Sequence, residues 1–594
     1  MIKFFKNNIA LIFTMLLALA VTPVIAQNFN SDLYLQTSEV NNAMVHYDAD
    51  KGSIMRFYST NSTADTYGVQ YDPSNYNTPE RRTRLQQLIA DYKKQLESLN
   101  FDAMSNNGKV DYILFNRNLN SEQYELQQQQ KTYERIKKYF PFEEKIYTLE
   151  KPRRRGIKVN AEAVAKEMED LRKAVGEQIK IVNKSEGLDK AASELAVSHT
   201  KGLQNILKNY YDFYNGYDPL FSWWVPKTYT ELDAVLGEYA VLLKSKKVET
   251  SIQKDDGSGI IGNPIGRDEI IRQLQTEFIP YSPEELVAIA NKEFAWCDAE
   301  LLKASREMGF GDNWKAAQEK VKNSYVAPGD QPQAMLDLYN QSVDFLKTNN
   351  LLTIPPIAEE TWRMYMMSPE AQKVNPFFLG GESLIVSYPT SSMSYGEKMM
   401  SMRGNNPNFS RATIHHELIA GHHLQQFMRD RYKAYRHFDT PFWVEGNSLY
   451  WEMLLWDLKF PQTPQDKIGM LFWRMHRCAR IIFSLNYHLG KWTPQQCIDF
   501  LVDRVGHERA NAEGEVRRSF VGGYSPLYQI AYMIGGLQFT ALKNELVVNG
   551  KMSYKEYHDA ILHENAMPIE LLRALLTNQP LQRDFKTTWK FYKF

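Results

Sequence analysis

The chain has 594 residues, 70 basic and 70 acidic side chains, and a formal net charge of zero. That balance, with no extended basic run, argues against nucleic acid as a partner. The length predicts one large or two to three intimate domains, and an aromatic content of 13% suits a large buried core or an aromatic-walled cleft.

Residues 1–26 read as an export signal. Lys3 and Lys6 precede an apolar run from Ile9 to Val21, and Val24-Ile25-Ala26 supplies the cleavage pattern before Gln27. No Cys follows Ala26, so a lipid-modified N-terminal Cys is not expected. No later segment reaches the roughly 18 apolar residues of a membrane span. The mature chain is therefore expected in the periplasm or outside the cell, with no stable membrane association. Cys297, Cys478 and Cys497 are too few for a disulfide framework and are expected as buried thiols.

Residues 27–80 show no clear hydrophobic period and predict an irregular lead-in. From Pro79 the period becomes helical, with Leu85, Leu88, Ile89 and Tyr92 on one face. Helical patterns recur over 110–140, 159–211, 228–246 and 282–308. Ser282-Pro283-Glu284-Glu285 has the form of a capping box with Pro at the first helical position. The aromatic-dense stretch Tyr210–Trp224 suits a packing junction or a substrate wall, and the first is preferred. Between residues 351 and 407, Phe377–Gly381 and Leu384–Pro389 predict extended chain, and a strand there could hold a peptide by edge pairing. The expected fold is mainly α, a large two-lobed helical architecture with a short β element near the site. Its parts would be an N-terminal helical region, 27–350, and a C-terminal helical catalytic region, 351–594.

The chemistry concentrates in Thr413–Phe427, which holds four of the twelve histidines: His415, His416, His422 and His423. Glu417 directly follows His416. Imidazoles beside a carboxylate suit Zn²⁺, and a Glu next to a ligand His can take a proton from water. The common zinc-peptidase pattern H-E-x-x-H is absent, because Ala420 stands where its second His would fall. The spacing is instead H-E-x-x-x-x-H. On a straight helix His416 and His422 would differ by about 120° in direction and about 9 Å in rise, too far apart to share an ion. A break at Ala420–Gly421 would bring His422 back to the ion. The other solution uses His423, about 20° from His416 in direction but about 10.5 Å along the axis. The first is preferred.

A second stretch, Phe442–Asp457, carries Glu445 and Glu452 amid Trp443, Leu449, Trp451, Met453 and Leu454. Carboxylates in such company need partners. Glu445 follows His422 at a gap suited to a third metal ligand on a following helix. Glu452 is seven residues on, on the same face, placed to orient a ligand His.

From about Ser410 to Phe539 the chain resembles the bacterial domain-of-unknown-function family 885, a helical group similar to gluzincin metallopeptidases. His416-Glu417-Leu418-Ile419-Ala420-Gly421-His422-His423-Leu424-Gln425 resembles that family's H-E-x-x-P-G-H-H-x-Q, with Ala420 in place of Pro. Glu445 to Glu452 resembles E-G-W-A-L-Y-x-E, with Asn447-Ser448 in place of Trp-Ala. His488 to Thr493, Glu515 to Arg518 and Pro526 to Gly535 resemble the C-terminal blocks. Dipeptidyl peptidase III, with H-E-L-L-G-H, is similar in using an expanded zinc motif. The resemblance implies an exported zinc metallopeptidase acting on peptides. His416, His422 and Glu445 would hold Zn²⁺, and Glu417 would act as general base. Tyr532, Tyr524 and His488 would be candidate oxyanion donors, and Arg518 an anchor for a substrate carboxylate. The alternatives are a zinc amidase or esterase on a non-peptide bond, and a non-catalytic exported helical binding protein.

Overall fold

A computed structural model of the chain describes residues 36–65, 68–72, 77–248, 255–372 and 380–593. The expected export signal, residues 1–26, and Phe377 to Leu379 of the expected extended stretch lie outside the described residues. The described chain is mainly helical, and its strands form three two-stranded sheets. No described helix is long and apolar enough to cross a membrane.

The chain divides into two compact units. One comprises residues 40–100 and 115–253; the other comprises 101–114 and 254–594 with the chain up to Glu39. The division thus falls near residue 254 and not at the expected 350. Apolar side chains such as Ile270, Leu286, Phe294 and Val321 belong to the same core as Phe442, Met475 and Ile534. A composition shift at 351 marks a change of secondary structure within this unit, not its edge.

The first unit contains α1 (Asn41–Phe57), the antiparallel pair β1 (Thr60–Asp65) and β2 (Gly68–Asp72), and α2 (Pro79–Glu97). After these come α3 (Asn106–Glu134, which starts in the other unit), α4 (Glu143–Arg153) and α5 (Ala161–Asn183). It ends with β3 (Leu188–Asp189), α6 (Lys190–Tyr214), α7 (Pro219–Trp224), α8 (Pro226–Ser245) and β4 (Lys247–Val248). Helix α2 buries Leu85, Leu88, Ile89 and Tyr92, the face its period predicts. Helix α1 corrects the irregular lead-in: it buries only Ala43, Met44 and Tyr47, a stripe too narrow to show as a period in the sequence. Tyr210, Tyr214 and Phe221 of the aromatic stretch are buried, whereas Tyr217 and Trp223 are exposed. The packing reading therefore holds for part of that stretch.

The second unit continues with α9 (Arg267–Thr276), α10 (Pro283–Glu307), α11 (Trp314–Lys322), α12 (Gln331–Thr348) and α13 (Pro356–Thr361). The parallel pair β5 (Arg363–Met366) and β6 (Ser383–Val386) flanks α14 (Pro369–Gln372). Then come α15 (Tyr395–Gly404), α16 (Pro407–Glu417), α17 (His422–Arg429), α18 (Pro441–Asp457) and α19 (Pro464–His488). The last elements are α20 (Pro494–Phe500), α21 (Arg509–Val521), α22 (Tyr528–Lys543), α23 (Tyr554–Glu564) and α24 (Ile569–Leu576). The capping box of α10 forms as expected, with Ser282 and Glu285 exchanging hydrogen bonds. The three cysteines are free and buried.

Two packing features set this unit. Helices α18 and α22 meet backbone to backbone: a Cβ on Gly446 would lie 2.6 Å from the Gly535 Cα, and one on Gly535 would lie 2.0 Å from the Phe442 carbonyl oxygen. Only glycine permits that approach. Elsewhere Arg436 and Asp111, both with fully buried side chains, form an ion pair at 2.7 Å. Arg436 also donates to Glu564 at 2.6 Å and to Asn107 at 2.8 Å. Arg436→Met should lower stability by about 3–5 kcal/mol, because Asp111 then stays buried without its cation. Asp111→Asn in the same chain should restore part of the loss. Urea unfolding of the two variants tests this, and a single variant as stable as wild type would contradict it.

Candidate metal centre

Helix α16 stops at Glu417 because Leu418 leaves helical geometry, with φ −111° and ψ −107°. Helix α17 begins at His422 after a cis Ile419–Ala420 peptide and Gly421. The backbone folds so tightly here that a Cβ on Gly421 would lie 1.8 Å from the His416 carbonyl oxygen. This is the break that the H-E-x-x-x-x-H spacing requires, and it sets the His416 and His422 rings with centroids 4.9 Å apart.

Glu445, from α18, completes the cluster. One of its oxygens, Oε2, is 3.3 Å from Nε2 of both His416 and His422. Ligand atoms of the three residues all lie within 4.8 Å of one another. A tetrahedral site with bonds of about 2.05 Å has ligand atoms about 3.3 Å apart, so the spacing suits one small divalent cation. Glu452 sits on the far side of the His416 ring and accepts from Nδ1 at 2.7 Å. A carboxylate can only accept, so Nδ1 carries a proton, and the nitrogen left to meet an ion is Nε2, on the Glu445 side. His422 Nδ1 has Gln425 Oε1 at 3.4 Å.

The charge state follows from this packing. Burial opposes ionisation of Glu445, but the imidazoles of His422 and His416 hold its carboxyl well below the usual range. Burial likewise opposes ionisation of Glu452, which Arg477 and His416 keep low. Glu417 differs: burial raises its carboxyl above the ordinary value, and the two imidazoles only partly offset this. The site therefore holds two clamped carboxylates and one whose affinity for a proton is raised.

These groups line a cavity of about 190 Å³ with Gly380, Arg477, Arg480, Arg518, Tyr524, Tyr528 and Tyr532 among its walls. Tyr532 stacks on His416, with centroids 6.1 Å apart at 15°. Tyr528 donates its hydroxyl proton to Glu445 Oε1. Tyr532 is pushed up to about 12, by burial first and then by Glu445, so its phenol stays protonated near neutral pH.

Of the sequence candidates, His416, Glu417, His422, Glu445, Tyr524, Tyr532 and Arg518 line this one cavity. His423 does not join them: its ring nitrogens face the carbonyl oxygens of Gly381 at 3.2 Å and Ala358 at 2.8 Å. His488 is a correction. It lies eight residues beyond Arg480 on α19, about 12 Å along the axis, and packs against Tyr487 and Phe520 instead of lining the cavity. His415 faces away, towards Phe460, and burial pushes it down to about 4. Gly380, Arg477, Arg480 and Tyr528 were missed. Tyr528 could have been found from its i,i+4 relation to Tyr532. Arg477 and Arg480 could have been found as two charges one turn apart inside an apolar helix.

The short β element expected near the site is present, and the loop before β6 touches the centre. A Cβ on Gly380 would lie 2.3 Å from Glu417 Oε2. Gly380→Ala should therefore displace that carboxylate. A crystal structure of the variant checks this; an unmoved Glu417 carboxylate would contradict it. A larger cavity, about 350 Å³, lies in the first unit. Its buried carboxylate, Glu143, is already satisfied by Tyr133, Tyr147 and His199.

Fold and site together define a mainly helical protein with a two-histidine, one-glutamate cluster on three consecutive helices. The chain belongs to the family described as bacterial protein of unknown function, DUF885, which it matches over residues 62–576. No curated protein matches it. A candidate lipoprotein of unknown function from Shewanella oneidensis is similar in structure, with a TM-score of 0.63 at 16% identity, over 91% of this chain and 99% of that one. A candidate lipoprotein from Colwellia psychrerythraea is also similar, with a TM-score of 0.54 at 14% identity, over 91% and 97%. At these identities the likeness concerns the fold alone.

Proposed function

We propose that the protein is an exported zinc-dependent hydrolase, a metallopeptidase. The observation that carries this is the convergence of His416, His422 and Glu445 next to a buried Glu417 in a single cavity. Two imidazoles and one carboxylate form the donor set of catalytic zinc sites, which keep a further position open. Export is supported by the leader pattern of residues 1–26 and by two structural neighbours described as candidate lipoproteins.

Zinc, when bound, supplies Lewis acidity that makes water a nucleophile near neutral pH. The chain's residues do the rest. Glu417 takes the proton from the attacking water as its oxygen bonds to the scissile carbonyl carbon. It then delivers that proton to the amide nitrogen, and the C–N bond breaks to give a carboxylic acid and an amine. Glu452 fixes the tautomer and plane of His416. The Tyr528 hydroxyl is spent on Glu445 and Tyr524 lies beside Arg518, so Tyr532, stacked on His416, is the phenol placed to donate to the developing oxyanion. The experiment is hydrolysis of a peptide library by zinc-loaded wild type and by Glu417→Gln. Cleavage by wild type alone is expected. Equal cleavage by both, or by neither, overturns the proposal.

A further inference from the structure

We infer that the substrate is a peptide with a free α-carboxylate, bound by Arg518 and Arg480 one or two residues beyond the scissile bond. This rests on the peptidase reading and adds its substrate class.

The first observation is an imbalance of charge. Glu417, Glu445, Glu452 and Glu515 face Arg477, Arg480 and Arg518 in and behind the cavity. With a divalent cation on the ligand cluster, positive charge exceeds negative by one. The excess falls at Arg518. Glu515 serves two guanidiniums at once: it accepts from Arg480 Nε at 2.7 Å, and Arg518 Nε lies 3.5 Å from its other oxygen. Among the described residues Arg518 has no other charged partner.

The second observation is donors without acceptors. Arg480 is 3% exposed, yet its Nη1 has no hydrogen-bond acceptor. Neither does Nε of Arg477. A buried guanidinium ordinarily has its N–H groups satisfied, and its planar fork suits the two oxygens of a carboxylate.

The third observation is the path. Aromatic rings lead from the ligand cluster to Arg518: Tyr532 to Tyr528 at 5.7 Å, Tyr528 to Tyr524 at 4.7 Å, and the Arg518 guanidinium 4.9 Å from the Tyr524 centroid. The cavity, at about 190 Å³, is below the roughly 300–1,000 Å³ of sites for drug-sized ligands. An extended chain spans at most about 3.3–3.6 Å per residue, so one or two residues bridge such a path.

The test uses zinc-loaded wild type, Arg518→Gln and Arg518→Lys with three matched peptides. These are a free acid, its C-terminal amide, and an amide carrying Glu as the last residue. Wild type should prefer the free acid over the plain amide by about 10–100-fold in kcat/KM, the scale of a lost charge-assisted contact. Arg518→Gln should lose that preference through KM and keep its metal content. Arg518→Lys should recover part of it. Equal cleavage of acid and amide by wild type overturns the inference and leaves the peptidase reading standing. Preference for the Glu amide over the free acid overturns it in favour of a side-chain carboxylate. Calorimetry of the free-acid and amide peptides on zinc-loaded Glu417→Gln protein reads recognition without turnover, so a failure of hydrolysis is separable. There, equal affinity for the two peptides overturns the inference.

Discussion

Glu417→Gln is expected to slow peptide hydrolysis by about 10²–10⁴-fold, the usual contribution of a positioned general base, while the protein keeps one zinc per chain. Glu417 is the last residue of α16, one place after His416, and lies outside the three-residue cluster proposed to hold the ion. Its surroundings raise its proton affinity, as a base that must take and return a proton requires. Gln keeps the shape and removes the basic oxygen. Single-turnover rates with metal analysis on the same preparation check this. A variant that turns over at the wild-type rate, or that has lost its metal, would show that Glu417 does something else.

The second large effect is loss of the ion itself. His416→Ala, His422→Ala and Glu445→Ala are each expected to bind zinc more weakly by well over the roughly 10–100-fold seen when only an outer partner of a ligand is removed. Glu452→Ala, which takes away such a partner, should fall within that range. His423→Ala should bind as wild type, since its ring is held by backbone carbonyls. Competition with a chelator gives the affinities. Thermal melting gives a second reading, because an ion at about 100 times its Kd stabilises the folded chain by about 2.7 kcal/mol. If His423→Ala empties the site and His422→Ala does not, the assignment is wrong at its centre.

Much of this centre was legible in the chain. Glu445 and Glu452 are i and i+7, so one face of α18 had to present both, and they meet opposite nitrogens of His416. The need for a break between His416 and His422 followed from helix geometry alone. Gly421 marked its place. Helix α1 and the division near residue 254 were not legible. The first buries too narrow a stripe to give a period, and the second depends on which faces find one another. The arginines failed for a related reason. That Arg477 and Arg480 are two charges inside an apolar helix is local information, but which cavity they line is settled only when α19, α21 and α22 enclose it.

The sequence by itself determined the mainly helical class, the donor types, their order along the chain and the faces they occupy, because these depend on spacing within single helices. The tertiary structure alone decided that Tyr528 and Tyr532 stand beside Glu445, that Arg518 and Arg480 share Glu515, and that His488 stands apart. Those relations join helices many residues apart. Their register is set by close backbone contact, Gly446 on Gly535 among them, and such a contact exists only once the helices have packed.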